Sequence, residues 1–161
     1  MKLQVSDIVS LVVAVVIPLV VGGLGGAATA QSIPTWYQGL DKPSWNPPNW
    51  VFGPVWTLLY ILMGVAAWLV WRRGWDNPQV RVALVIFGIQ LLLNLFWSLI
   101  FFGLRSTGWA VLEIVVLWGF ILATIIQFYR LESVAGLLLI PYQLWVTFAA
   151  VLNATVWQLN R

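Results

Sequence analysis

The sequence predicts an all-α membrane protein, a five-transmembrane-helix bundle with a long Trp/Pro-rich loop between helices 1 and 2. The first observation is composition: 161 residues, 61% hydrophobic and 8% charged, against about 25% charged in an ordinary soluble domain. The second is arrangement. The apolar residues form long runs without charge, at Ile8–Leu40, Val51–Trp71, Val82–Leu104 and Ser133–Asn160, with a fourth-helix run interrupted at Glu113. A helix needs about 20 such residues to cross the hydrocarbon, and its backbone polar groups must be satisfied within the helix. The third is the segment from Trp36 to Trp56, which holds four tryptophans and four prolines but only Asp41 and Lys42 as charges.

Taken in order, helices are expected at about 6–28, 51–72, 82–104, 108–129 and 133–158, with a lid loop at about 29–50, so that 1–161 is one integral membrane domain. In helix 1, Gly22 and Gly26 have the G-x-x-x-G spacing of a close helix contact. Met1-Lys2, the apolar run and Ala28-Thr29-Ala30 also have the outline of a cleaved signal peptide, with Asp7 weakening the basic start. Pro54 is expected in the first turn of helix 2, where a missing N–H is harmless. Asn77-Pro78 is a turn signal. Pro141 should bend helix 5. Five crossings put Lys2, Arg72, Arg73, Arg81 and Arg130 on one side and Lys42, Arg105 and Arg161 on the other. The positive-inside tendency then places the amino terminus in the cytoplasm and the aromatic loop on the far side.

The chain has no His and no Cys. That removes the usual zinc ligands, the thiol nucleophile, disulfides and the common axial ligands of haem. A Ser-His-Asp triad is excluded too, and no metal site is expected. The net charge of +3 comes from small basic groups at helix ends, as membrane orientation requires, and does not point to nucleic acid.

Helix 3 carries Gln90, Asn94 and Ser98 on one stripe, with Trp97 alongside. Either these polar groups bond neighbouring helices or they form a ligand-facing edge. Helix 2 carries Trp56, Tyr60, Gly64, Ala67, Trp68 and Trp71; helix 5 carries Trp145, Ala149, Asn153 and Trp157. Trp68, Trp71 and Trp157 fit an interfacial aromatic belt. A belt explains Trp56, about a turn into helix 2, less well and Trp145, about three turns into helix 5, least of all; both fit a ring-lined ligand cavity. Glu113 is an acid within a helix, read as a hydrated helix-end group and otherwise as a proton or substrate site.

These residues fall into ordered blocks: Trp36-Tyr37 with Leu40, Lys42-Pro43-Ser44-Trp45-Asn46-Pro47-Pro48, Trp50, Pro54-Val55-Trp56-Thr57, Leu59-Tyr60, Met63-Gly64, Gln90, Asn94, Trp97-Ser98, Phe101-Phe102, Pro141-Tyr142, Trp145, Ala149 and Leu152-Asn153. Over nearly its whole length the chain thereby resembles the translocator protein or tryptophan-rich sensory protein family (TspO/MBR, the peripheral benzodiazepine receptor family), in its bacterial form. The resemblance implies a homodimeric membrane receptor or sensor that binds tetrapyrroles such as protoporphyrin IX and hydrophobic drug-like ligands. It implies a pocket lined by Tyr37, Trp45, Pro47, Phe52, Trp56, Tyr60, Asn94, Trp97, Ser98, Trp145 and Ala149, with Trp56 and Trp145 serving light-dependent porphyrin degradation. The alternative is a transporter of porphyrin, steroid or other apolar molecules. The sequence departs from the family's sterol motif, since Ala154–Arg161 contains no Tyr, so sterol is the ligand the resemblance supports least. No cofactor is required beyond the tetrapyrrole as ligand.

Rings would stack on the macrocycle face, Gln90, Asn94 and indole N–H groups would meet its polar edges, and Lys42 would reach its propionates. Without His or Cys, metal-free porphyrin should be preferred over haem. The expected location is the bacterial cell membrane, or the mitochondrial outer membrane in a eukaryote.

Overall fold

Uninterrupted apolar sequence leaves each segment no partner for its backbone but itself, and five long helices result. The computed structural model describes residues 4–161; Met1 and Lys2, and with them the signal-peptide start and one basic residue of the charge count, lie outside the described residues. The elements are α1 (Val5–Ser32), α2 (Asn49–Trp71), α3 (Pro78–Ser98) running into a π-helical turn (Leu99–Gly103), α4 (Thr107–Leu131), α5 (Ser133–Leu138) and α6 (Ile140–Leu159). The last two form one crossing, which gives five helical spans. No strand is present among the described residues.

Several boundaries differ from expectation for local reasons. α1 continues to Ser32, so the lid is shorter, and the Ser32 hydroxyl donates to the Phe102 carbonyl at 2.7 Å, pinning that end to the π turn. α2 starts at Asn49 after the extended Pro48, which puts Pro54 inside the helix rather than in its first turn. Asn77-Pro78 starts a helix instead of making a free turn. The Asn77 side chain accepts the Gln79 N–H at 2.9 Å, and Pro78 takes the first helical position, where its lacking N–H is harmless. α2 ends at Trp71, and the chain turns away three residues later at Gly74, whose φ of +100° suits glycine. The break before Pro141 falls at Leu139, as expected of that proline.

Polar groups tie the ends. At one end the Asp7 carboxylate, in the first turn of α1, is 3.9 Å from Arg72, and Arg73 pairs with Glu132. At the other, Asn160 accepts the Asp41 N–H at 3.0 Å and donates to the Asp41 carbonyl at 2.8 Å, joining the lid loop to the end of α6.

Going round the bundle, α1 packs on α2, α2 on α5, α5 and α6 on α4, α4 on α3, and α3 on α1. Glycine sets two of these approaches. A Cβ on Gly64 would lie 2.5 Å from the Val15 Cα, so α1 and α2 cross nearly backbone to backbone. A Cβ on Gly136 would lie 2.8 Å from the Tyr129 backbone, which lets α5 fold straight back on α4. Of the expected Gly22/Gly26 contact pair, Gly22 meets the Tyr60 ring, while Gly26 has nothing within 4 Å of a notional Cβ. Trp68 is buried rather than in an aromatic belt, because its Nε1 donates to Ser10 on α1 at 3.1 Å. Met63, Val70, Val80, Phe87, Leu117 and Phe128 fill the end away from the lid. At the lid end α2 and α6 diverge, and a cavity remains.

Candidate functional site

The cavity has a volume of about 520 Å³, within the 300–1,000 Å³ usual for small-molecule sites. Its walls come from α1, α2, the end of α3, the π turn, α6 and the lid. Trp56 and Tyr60, one turn apart on α2, stack at 5.6 Å between ring centroids. Across the space, Trp145 meets Phe52 edge-on at 5.9 Å. Trp97 stacks on Phe101 at 5.3 Å. The π turn matters here: its Leu104 N–H reaches back five residues to Leu99 at 2.8 Å. The widened turn puts both Phe101 and Phe102 in the wall.

Eight of the residues expected from sequence are brought together in that wall: Tyr37, Phe52, Trp56, Tyr60, Trp97, Ser98, Trp145 and Ala149. Three lie elsewhere. Asn94 is buried behind the wall, where it accepts the Tyr60 hydroxyl at 2.6 Å and donates to the Tyr142 hydroxyl at 3.0 Å. Tyr142 in turn donates to Gln90 Oε1 at 3.0 Å. The polar stripe of α3 therefore divides: Gln90 and Asn94 join helices, while Ser98 faces the cavity beside Gly25. Trp45 is half-exposed and lies edge-on to Phe148, which itself contacts Trp145. Pro47 lies in the lid, its carbonyl accepting from Asn46 at 3.1 Å.

Sequence reasoning missed the contribution of α1. Gly22, Gly23, Gly26, Thr29 and Ala30 line the cavity; the small-residue run was a signal of missing side-chain volume, not only of helix contact. It also missed Asn153, which accepts the Trp97 indole N–H at 3.1 Å and donates to the Thr107 carbonyl at 3.0 Å.

The lid is built on Tyr37. Its hydroxyl donates to Asn46 Oδ1 at 3.1 Å, and burial raises its pKa, offset in part by that hydrogen bond. Lys42 donates to the carbonyls of Tyr37, Gln38 and Leu40 at 2.8, 3.3 and 2.7 Å, and its Nζ lies 4.9 Å from the Tyr37 ring centroid. All three ammonium donors are thus held by the loop, which differs from the expected reach of Lys42 toward a ligand. Among the described residues no charged side chain lines the cavity. Trp145 Nε1 is buried without an acceptor. A planar apolar molecule fits these walls, and the indole N–H is a donor still unused.

Glu113 does not lie on a hydrated end. Both its carboxyl oxygens are buried and meet no donor. Among the described residues no cluster of His, Cys, Asp or Glu could hold a metal.

Comparison with known proteins bears on this architecture as a whole. The TspO/MBR family model matches residues 14–158. Tryptophan-rich protein TspO of Chlorobaculum tepidum is 46% identical over 155 residues, covering 96% of this chain and 98% of that protein. Tryptophan-rich protein TspO of Archaeoglobus fulgidus is 41% identical with 96% and 99% covered. The translocator protein of Homo sapiens is 44% identical over 126 residues, 78% of this chain and 75% of its own.

Proposed function

The chain belongs to the TspO/MBR family and is an integral, multi-pass membrane protein; on that premise we propose that it is a receptor or sensor for tetrapyrroles such as protoporphyrin IX and other flat hydrophobic ligands. The family relation supports a sensor or translocator role. The observation that carries the finer reading is the ring-walled cavity itself. Its aromatic planes suit a macrocycle face, each offset pair adding about 0.5–1.5 kcal/mol beyond area burial, and Trp145 Nε1 offers a hydrogen bond to a polar edge. The absence of a lining cation leaves the propionates to exit at the rim. The lining also lacks His and Cys, which favours the metal-free macrocycle.

Trp56 and Trp145 flank the space from α2 and α6. A photoexcited porphyrin held between these indoles can take an electron from one of them and pass it to dioxygen; the macrocycle then returns an electron to the indole radical cation, and the superoxide adds to the oxidised ring, so that the net reaction is macrocycle plus dioxygen. A receptor fits the geometry better than a through-channel. Beyond Tyr60 the path is closed by the Tyr60–Asn94–Tyr142–Gln90 chain and the packed core around Met63.

The experiment is a protoporphyrin IX titration followed by tryptophan quenching, dark and illuminated, for wild type, Trp56→Phe and Trp145→Phe. Saturable quenching in the dark, weakened several-fold in Trp145→Phe, and light-driven product formation lost in the double variant are expected. Quenching that never saturates sinks the receptor reading. Unchanged photoproduct in the double variant sinks the photochemical part alone.

A further inference from the structure

A second hollow, of about 490 Å³, lies at the lid end but outside the ring-walled cavity, between the first turns of α4 and the last turn of α6. Its wall includes Arg105, Gly108, Trp109, Leu112, Trp157 and Arg161, and no acidic residue lines it. Among the described residues neither Arg105 nor Arg161 joins an ion pair. The Arg161 guanidinium lies over the Trp157 ring, 5.6 Å from its centroid. The edge of that ring is set by Gly108: a Cβ there would lie 2.9 Å from Trp157 Nε1, so only glycine lets the indole N–H come this close to α4. Arg105 holds a φ of +54°, the left-handed region that non-glycine residues rarely occupy. Ser106, the capping residue of α4, makes no side-chain cap, so the first-turn amides of Thr107 and Gly108 keep their hydrogen-bonding capacity.

Part of the wall has a different chemistry. Trp109 is 69% exposed and Leu112 60%. One turn apart on α4, they give the same hollow an apolar side. Two guanidiniums, an indole N–H and free amides beside a lipid-facing apolar strip complement an amphiphile with a negative head. A soluble anion would use the polar part alone, and a zwitterionic lipid would bring its own cation against the two arginines.

We propose that this hollow binds the phosphate headgroup of an anionic phospholipid from the surrounding bilayer, with one acyl chain lying along Trp109 and Leu112. Arg105 and Arg161 supply the charge, their guanidiniums donating to the phosphate oxygens. Trp157 orients the Arg161 guanidinium by its ring face.

The full-length chain in phosphatidylcholine nanodiscs is titrated with spin-labelled phosphatidylglycerol and, separately, spin-labelled phosphatidylcholine, reading the motionally restricted fraction. The wild type should retain phosphatidylglycerol over phosphatidylcholine by on the order of tenfold at one site. Arg105→Gln/Arg161→Gln should lose that preference, while Arg81→Gln, at the other end of the bundle, should keep it. An equal preference in the double variant overturns the proposal. Inorganic phosphate is the competing arm: displacement of the labelled lipid at millimolar phosphate would make this a soluble-anion site and overturn the lipid assignment. Should the double variant fail to fold, dibrominated lipids in the wild type decide. Phosphatidylglycerol must quench the Trp109 contribution, taken as the difference from Trp109→Phe, more than phosphatidylcholine does; equal quenching overturns it.

Discussion

Single atoms decide which glycines of this bundle are structural and which merely leave space. At Gly64 a Cβ would lie 2.5 Å from the Val15 Cα and 2.7 Å from the Ala14 carbonyl oxygen. Both are backbone atoms, so α1 and α2 would have to move apart. Gly64→Ala should therefore destabilise by roughly 1–3 kcal/mol, the usual range for overpacking. Gly26→Ala is the contrast: its Cβ meets nothing within 4 Å and extends from the cavity wall. That variant should keep its stability, since alanine favours helix by about 1 kcal/mol over glycine, yet bind protoporphyrin more weakly. Reversible unfolding in mixed micelles and the porphyrin titration separate the two; equal stability losses would refute the distinction. The Tyr60 hydroxyl makes a similar point. The family resemblance implies a ligand contact there, but its donor is already committed to Asn94, which leaves its ring, not its polar atom, for the cavity.

Among the elements, the lid adds a polar clasp to the packing of Trp36, Tyr37 and Leu40 on Phe101. Tyr37 bonds Asn46, Lys42 gathers three carbonyls, and Asn160 grips Asp41 from the end of α6. Burial raises the Tyr37 pKa above the ordinary value of 10.0, with the Asn46 bond lowering it in part. A folded-state pKa raised above that of the unfolded chain gives stability that is complete below the unfolded value and fades as pH rises through the folded one. The lid should therefore be insensitive to pH below 10.0 and loosen above it. The difference in tyrosinate absorbance between wild type and Tyr37→Phe should show a midpoint above that of free tyrosine, and a midpoint at or below 10.0 would contradict the burial. Trp50, 75% exposed, takes no part in this clasp and has the exposure of an interfacial anchor.

For the whole molecule, the cavity and the core share the same helices, so occupancy and stability are linked. A ligand that binds only the folded bundle stabilises it by about 2.7 kcal/mol at a hundred times its Kd. Protoporphyrin IX at saturation should raise the apparent unfolding temperature of the wild type, and less so that of Trp56→Phe/Trp145→Phe; no shift in the wild type would remove the cavity as the binding site. Five spans and their order were legible in the sequence because apolar run length fixes a membrane helix, and depth marked Trp56 and Trp145 as cavity rings; the rest of the ring-bearing wall was implied by the family resemblance. The blocks from Trp36 to Asn153 carried the family as well. What only the tertiary structure decided is which of those faces meet and which stay apart. α2 closes on α5 and diverges from α6, so Trp56 and Trp145 border a space, Asn94 is drawn behind the wall, and Trp45 and Pro47 remain in the lid. Spacing along one helix orients a side chain but does not say what stands opposite; that depends on small residues such as Gly64 and Gly136, whose missing atoms set the distance between helices.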